Sequence, residues 1–140
     1  DLMQIKDALS RIKVYMYHSS HREQFAKGFS TLEACMKTLN LYQESGFNDL
    51  HMKKFLIHDS PYFKILNFNF EPGQELPVHS HDVEGQLSIA VLEGEGEFLG
   101  EDGASLPANT GDVLVAEIAE PHGIRASTRM RVMVTIAPPI

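Results

Sequence analysis

A chain of 140 residues with 43% hydrophobic and 22% charged side chains has the size and balance of one globular domain with a substantial core. Its net charge is −7 and no basic cluster is present, which argues against nucleic acid and anionic membrane as partners. No apolar run approaches the roughly 20 residues of a membrane helix. Residues 1–7 lack the apolar core of a secretory signal, and the single Cys35 leaves no internal disulfide, so a reducing cytoplasm is the expected setting.

The first third of the chain mixes two periods. Residues 5–9 suit a short helix or turn. Residues 12–17 alternate Ile12, Val14 and Met16 with Lys13, Tyr15 and Tyr17, the period of a strand. From His21 onward, Phe25, Phe29, Leu32, Met36 and Leu39 recur every three or four residues, the period of a helix. Gly28 and residues 30–31 interrupt the pattern, which suits either one bent helix or a short helix followed by a better one over 31–44 ending at Gly46, with Ser30 and Glu33 as a capping box. Its apolar stripe is expected to pack on the body of the protein or on a second subunit. Cys35, on this stripe, reads as a small buried hydrophobe. His18, His21, His51 and His58 show no metal-ligand spacing among themselves.

The remainder is rich in strand patterns. Strands are predicted at 53–57, 62–70, 86–92, 95–99, 113–118 and 129–137, separated by turn sequences such as His58-Asp59-Ser60-Pro61 and Glu101-Asp102-Gly103. Many short strands at this spacing indicate a sandwich or barrel. Within this part, His79 and His81 stand one residue apart. On a strand they would share a face, and two imidazoles in one space suit a transition metal. Gln86, Ser88 and Ala90 share one face of the following strand; Leu87, Ile89 and Val91 share the other.

Residues 73–98 resemble the first motif of the cupin family. Gly73 sits six residues before His79, as that motif requires. Gln86 has the wider of the family's two spacings from His81 for its glutamate, and the stretch from Gln86 to Gly94 is one residue longer than the pattern. Glu84, two residues earlier, is the rival for this position. The second motif is matched by Gly111-Asp112, with His122 eleven residues after Gly111. Ala126 stands where the family has asparagine, and Glu117 where it often has proline. Glu117 is a candidate base if it faces inward with Val113 and Val115; otherwise it is a surface carboxylate.

The resemblance spans residues 61–138. It implies a mainly β chain: a single cupin jelly-roll β-barrel over 53–140, with an N-terminal strand and helical extension over 1–52 packed on it, one domain overall. It also implies one divalent transition metal (Fe, Ni, Zn, Mn or Cu) held by His79, His81, Gln86 and His122. Gln86 as a ligand and Gln86 as a hydrogen-bonding neighbour of the site both remain open, with Glu84 as the alternative ligand. The implied function is a metal-binding small cupin, a metal-dependent oxygenase, isomerase or lyase on a small oxygenated metabolite. The alternative is a non-catalytic binder of a small ligand. A homodimer is the family's expected assembly.

Overall fold

The computed structural model describes residues 36–140. The strand expected at 12–17 and the helical pattern from His21 to residue 35 lie outside the described residues. The helix expected over 31–44 can be followed only from Met36, and there it is shorter than its periodicity suggests. Residues 36–40 have no regular structure, and the helix is one turn, α1 (Leu41–Glu44). Asn40 sets its start: its backbone is extended (φ −110°, ψ 114°) and its side-chain oxygen accepts from the Tyr42 N–H at 3.0 Å. An N-cap of this kind satisfies a backbone donor that the helix itself cannot.

Nine strands follow: β1 (Lys53–Asp59), β2 (Lys64–Phe70), β3 (Glu75–His79), β4 (Gln86–Glu93), β5 (Glu95–Leu99), β6 (Ser105–Asn109), β7 (Val113–Glu117), β8 (His122–Ala126) and β9 (Met130–Ala137). They form a five-stranded sheet in the order β1-β2-β9-β4-β7 and a four-stranded sheet in the order β3-β8-β5-β6. Every pairing is antiparallel. The fold is the expected jelly roll. Pro77 and Pro107 lie in β3 and β6, the two edge strands of the smaller sheet, where a missing N–H costs least. The chain passes from β4 in the larger sheet to β5 in the smaller one at Gly94, whose φ is +84°; a Cβ there would lie 2.0 Å from the Arg129 carbonyl oxygen, so only glycine fits.

The core lies between the sheets and follows strict alternation. Leu87, Ile89 and Val91 of β4, Leu66, Phe68 and Phe70 of β2, and Val132, Val134 and Ile136 of β9 face Phe98, Ala108, Ile124 and Ala126 of the smaller sheet. Burying each large apolar side chain contributes about 1.5–3 kcal/mol. Side chains of opposite parity on the larger sheet form its outer face.

Part of that outer face is covered by α1 and the residues after it. Arg131 of β9 is buried; its Nη1 donates to the carbonyls of Leu41 (3.0 Å) and Ser45 (2.8 Å), and its Nε to Glu93 (3.3 Å). Its guanidinium lies 4.4 Å from the Tyr42 ring centroid. Asn69, beside it on β2, donates to the carbonyls of Ser45 (3.1 Å) and Gly46 (2.6 Å). A cation thus meets the carbonyl end of α1, giving a donor to the Ser45 carbonyl beyond the helix and a second one to the Leu41 carbonyl, which already accepts from the Ser45 N–H. Arg131→Ala removes the charged donor from both carbonyls, leaving Leu41 with the Ser45 N–H and Ser45 with the Asn69 amide, and should cost about 1.5–3 kcal/mol. Chemical denaturation checks this, and proteolysis should then cut first near residues 40–50.

Candidate metal centre

The site is set by one irregularity in β3. Leu76 lies opposite Ile124 of β8, and His79 lies opposite His122, so three steps along β3 span two along β8. This β-bulge carries one extra residue, and it decides where His79 points. On β8, His122 shares parity with the core residues Ile124 and Ala126 and therefore faces inward. Paired residues share a face, so the bulge turns His79 inward beside it. In an unbulged β3, Val78 would take that place. Gly123 makes the bulge possible: a Cβ there would stand 2.7 Å from the Leu76 carbonyl oxygen and 2.9 Å from the Val78 nitrogen.

The imidazoles of His79 and His122 lie 4.6 Å apart, centroid to centroid, and those of His79 and His81 lie 5.4 Å apart, edge to face at 80°. His79 is thus the middle ring. His81 lies just beyond the end of β3 rather than on the strand, and is exposed; its N–H donates to the Ile118 carbonyl at 3.1 Å. That bond and Ile118 N–H to Gly85 carbonyl (2.9 Å) tie the 80–85 loop to the end of β7.

Two backbone carbonyls fix the ring chemistry. Nδ1 of His79 is 2.8 Å from the Pro77 carbonyl oxygen, and Nδ1 of His122 is 2.7 Å from that of Glu120. A carbonyl oxygen only accepts, so Nδ1 is the donor in both rings, and in a neutral ring of this tautomer Nε2 carries the lone pair. This is the arrangement in which a histidine is oriented to ligate a metal through Nε2. Burial holds His122 below the ordinary imidazole pKa; the Glu120 carbonyl opposes this, and the nearby His79 and His81 lower it further.

The donor set suits a transition metal: neutral imidazoles are ligands for zinc, copper, iron and nickel. As the rings lie here, no group of three or more His, Cys, Asp or Glu side chains among the described residues is already arranged to hold an ion. His79 and His122 are fixed by their carbonyl bonds, whereas the exposed His81 ring has room to turn.

Gln86 requires a correction. It shares the parity of Ser88 and Ala90, opposite to the buried Leu87, Ile89 and Val91, so it stands on the outer face of the larger sheet. Its amide donates to Glu117 at 2.9 Å, and both residues are exposed. The cause is the extra residue between the His-x-His pair and Gly94, because a shift of one position moves a strand's side chains to the other face. Measured back from Gly94, the family's glutamate position falls on Leu87, which is buried. Glu117 takes the second of its two readings, a surface carboxylate: it lies outward with the exposed Val113 and Val115, while Leu114 and Ala116 pack against the core. Glu84 is exposed on the 80–85 loop. The Leu87 position was visible in the sequence only as a spacing one residue too long.

Residues 66–136 match the cupin domain. The chain belongs to the cupin family. This cupin is 57% identical to an RmlC-like cupin protein from Desulfovibrio desulfuricans, with a TM-score of 0.73, over 75% of this chain and 99% of that one. Its fold also resembles KdgF from a Halomonas species (21% identity, TM-score 0.61, 74% of this chain and 94% of that one). Ectoine synthase from P. lautus is similar in fold as well (20% identity, TM-score 0.60, 75% and 80% of the two chains). No curated protein matches the chain.

The lowered His122 pKa gives a signed expectation. As pH falls through about 6.5, the unfolded chain takes up the proton before the folded one does. Stability of the metal-free cupin therefore falls with acidification from there, until pH drops below the folded pKa of His122. Denaturation midpoints measured from about pH 7.5 to about pH 5 should decline, and His122→Asn should flatten the decline.

Proposed function

We propose that this cupin holds one divalent transition metal (iron, nickel, zinc, manganese or copper) on His79, His81 and His122 and binds a small oxygenated metabolite there. The observation that carries this reading is the pair of Nδ1–carbonyl bonds, which leaves Nε2 of His79 and of His122 as lone-pair donors on one inward face. The bulge brings His79 to that face, and burial keeps His122 neutral, the form in which imidazole ligates. A bound divalent metal supplies Lewis acidity toward an oxygen of the metabolite. One structural relative is named as a synthase, which supports the use of this fold for small-molecule chemistry.

The reading covers an oxygenase, isomerase or lyase. A second reading, a non-catalytic binder of a small ligand, is favoured by one observation: Gln86 and Glu117, the polar pair nearest in sequence to an acid–base role, face outward. A homodimer is part of the proposal, supported by the exposed Val113 and Val115 on edge strand β7. Light scattering should give twice the chain mass. A cytoplasmic setting suits a chain with one cysteine.

Elemental analysis of protein purified without added metal tests the centre. Up to one transition metal per chain is expected, and His81→Ala or His122→Ala should remove most of it while circular dichroism stays β-rich. Metal content that these substitutions leave unchanged would overturn the proposal.

A further inference from the structure

Among the described residues the larger sheet ends in β1 and β7, and the smaller one in β3 and β6. A bare strand edge invites pairing with another chain, and proteins blunt it with lysine, proline or a bulge. β1 carries Lys53, Lys54 and a bulge between Leu56 and His58. β3 carries Pro77 and its own bulge, and β6 carries Pro107. β7 has none of these devices, and its register with β4 is unbroken from Val113 to Glu117. Val113 and Val115 on it are 62% and 65% exposed. The pairing with β4 shows which backbone groups of this strand are free. Val91 N–H donates to the Asp112 carbonyl and Ile118 N–H to the Gly85 carbonyl, both at 2.9 Å. Hydrogen-bonded positions alternate along an antiparallel pair, so Leu114 and Ala116, between these two, also turn their polar groups toward β4. The N–H and C=O groups of Val113, Val115 and Glu117 then point away from β4, where no described strand lies.

We infer that β7 is a self-pairing edge: two copies of this chain join β7 to β7, antiparallel about a two-fold axis at Val115, so that their larger sheets become one. The inference rests on the homodimer in the reading above and deepens it by naming the surface; it needs no metal. A two-fold contact must be complementary to itself. Centred on Val115, the pairing sets Val115 against its copy and Val113 against Glu117 of the other chain. Residues two apart along an antiparallel pair are bonded alike, so the free N–H and C=O groups of all three residues meet one another. The two Val115 side chains stand side by side on one face. Charge also fits this register: each Glu117 faces a valine, and its carboxylate already accepts from the Gln86 amide of its own chain. An axis at Glu117 would instead set like charges directly opposite.

The test is sedimentation of wild type, Val115→Pro and Ser88→Glu over a dilution series. Proline at 115 removes an N–H that is not turned toward β4, so circular dichroism should be unchanged while the dimer dissociation constant rises about tenfold or more. Ser88 pairs with Val115 and stands on the outer face of β4, one strand in from the edge. Edge pairing leaves that face in solvent, so Ser88→Glu should dimerise like wild type, whereas a dimer made by packing two outer faces together would dissociate. Amide hydrogen exchange on wild type gives a readout free of any substitution and decides should Val115→Pro fail to fold. The N–H groups of Val113, Val115 and Glu117 should exchange about tenfold more slowly in the dimer than in the diluted monomer. Wild type that stays monomeric at every concentration would overturn the homodimer itself, and this inference with it. A dimer that survives Val115→Pro with wild-type affinity, that is lost in Ser88→Glu, or whose three amides exchange as in the monomer, would overturn the β7 pairing and leave the homodimer standing.

Discussion

Everything at the centre depends on the two-residue period of a β-strand set against a core that accepts apolar side chains on one face only. Within that constraint a strand has no intermediate setting: each side chain is in or out. Two local irregularities use the constraint in opposite ways. The bulge in β3 adds a residue and turns His79 in beside His122. The extra residue between His81 and Gly94 turns Leu87 in and Gln86 out. Both are single-residue events: the first puts a polar side chain where an apolar one would stand, and the second does the reverse.

Backbone groups do much of the work of the centre. The carbonyls of Pro77 and Glu120 hold protons on the two Nδ1 atoms, and the Ile118 carbonyl ties down His81 through its main chain. Pro77 itself sits in the bulge, so the residue whose carbonyl orients His79 also belongs to the irregularity that turns it inward. Gly123 completes the arrangement by contributing no atom where the bulge crosses β8. Orientation of the rings is thus inherited from strand pairing rather than from neighbouring acidic side chains, which leaves the centre without a carboxylate partner in its immediate hydrogen bonding.

At the other end of the chain, cations organise the segment before β1. Arg131 meets two carbonyls at the end of α1 and the face of Tyr42, and Arg129 stacks 4.5 Å from the Phe47 ring while pairing with Glu71. A four-residue helix has little stability of its own, since nucleation costs more than one turn returns. Tertiary contacts hold it, which is why a periodicity that seemed to favour a long helix yields, among the described residues, only one turn.

The sequence by itself determined the strands whose apolar residues alternate cleanly: β2, β4, β5, β7 and β9 lie within one or two residues of their expected spans. It also identified the cupin pattern and the three histidines. β6 was not legible, because Ser105–Asn109 is short, largely exposed and interrupted by Pro107, and is held by pairing with β5. Which face each site residue occupies was decided by the tertiary structure. A bulge leaves no mark in composition and exists only as a mismatch between two paired strands, as Leu76–His79 shows against Ile124–His122. Gln86 and Leu87 are neighbours in sequence, so they stand on opposite faces of β4. Only the packing of Leu87, Ile89 and Val91 against the opposite sheet settles that the leucine faces inward.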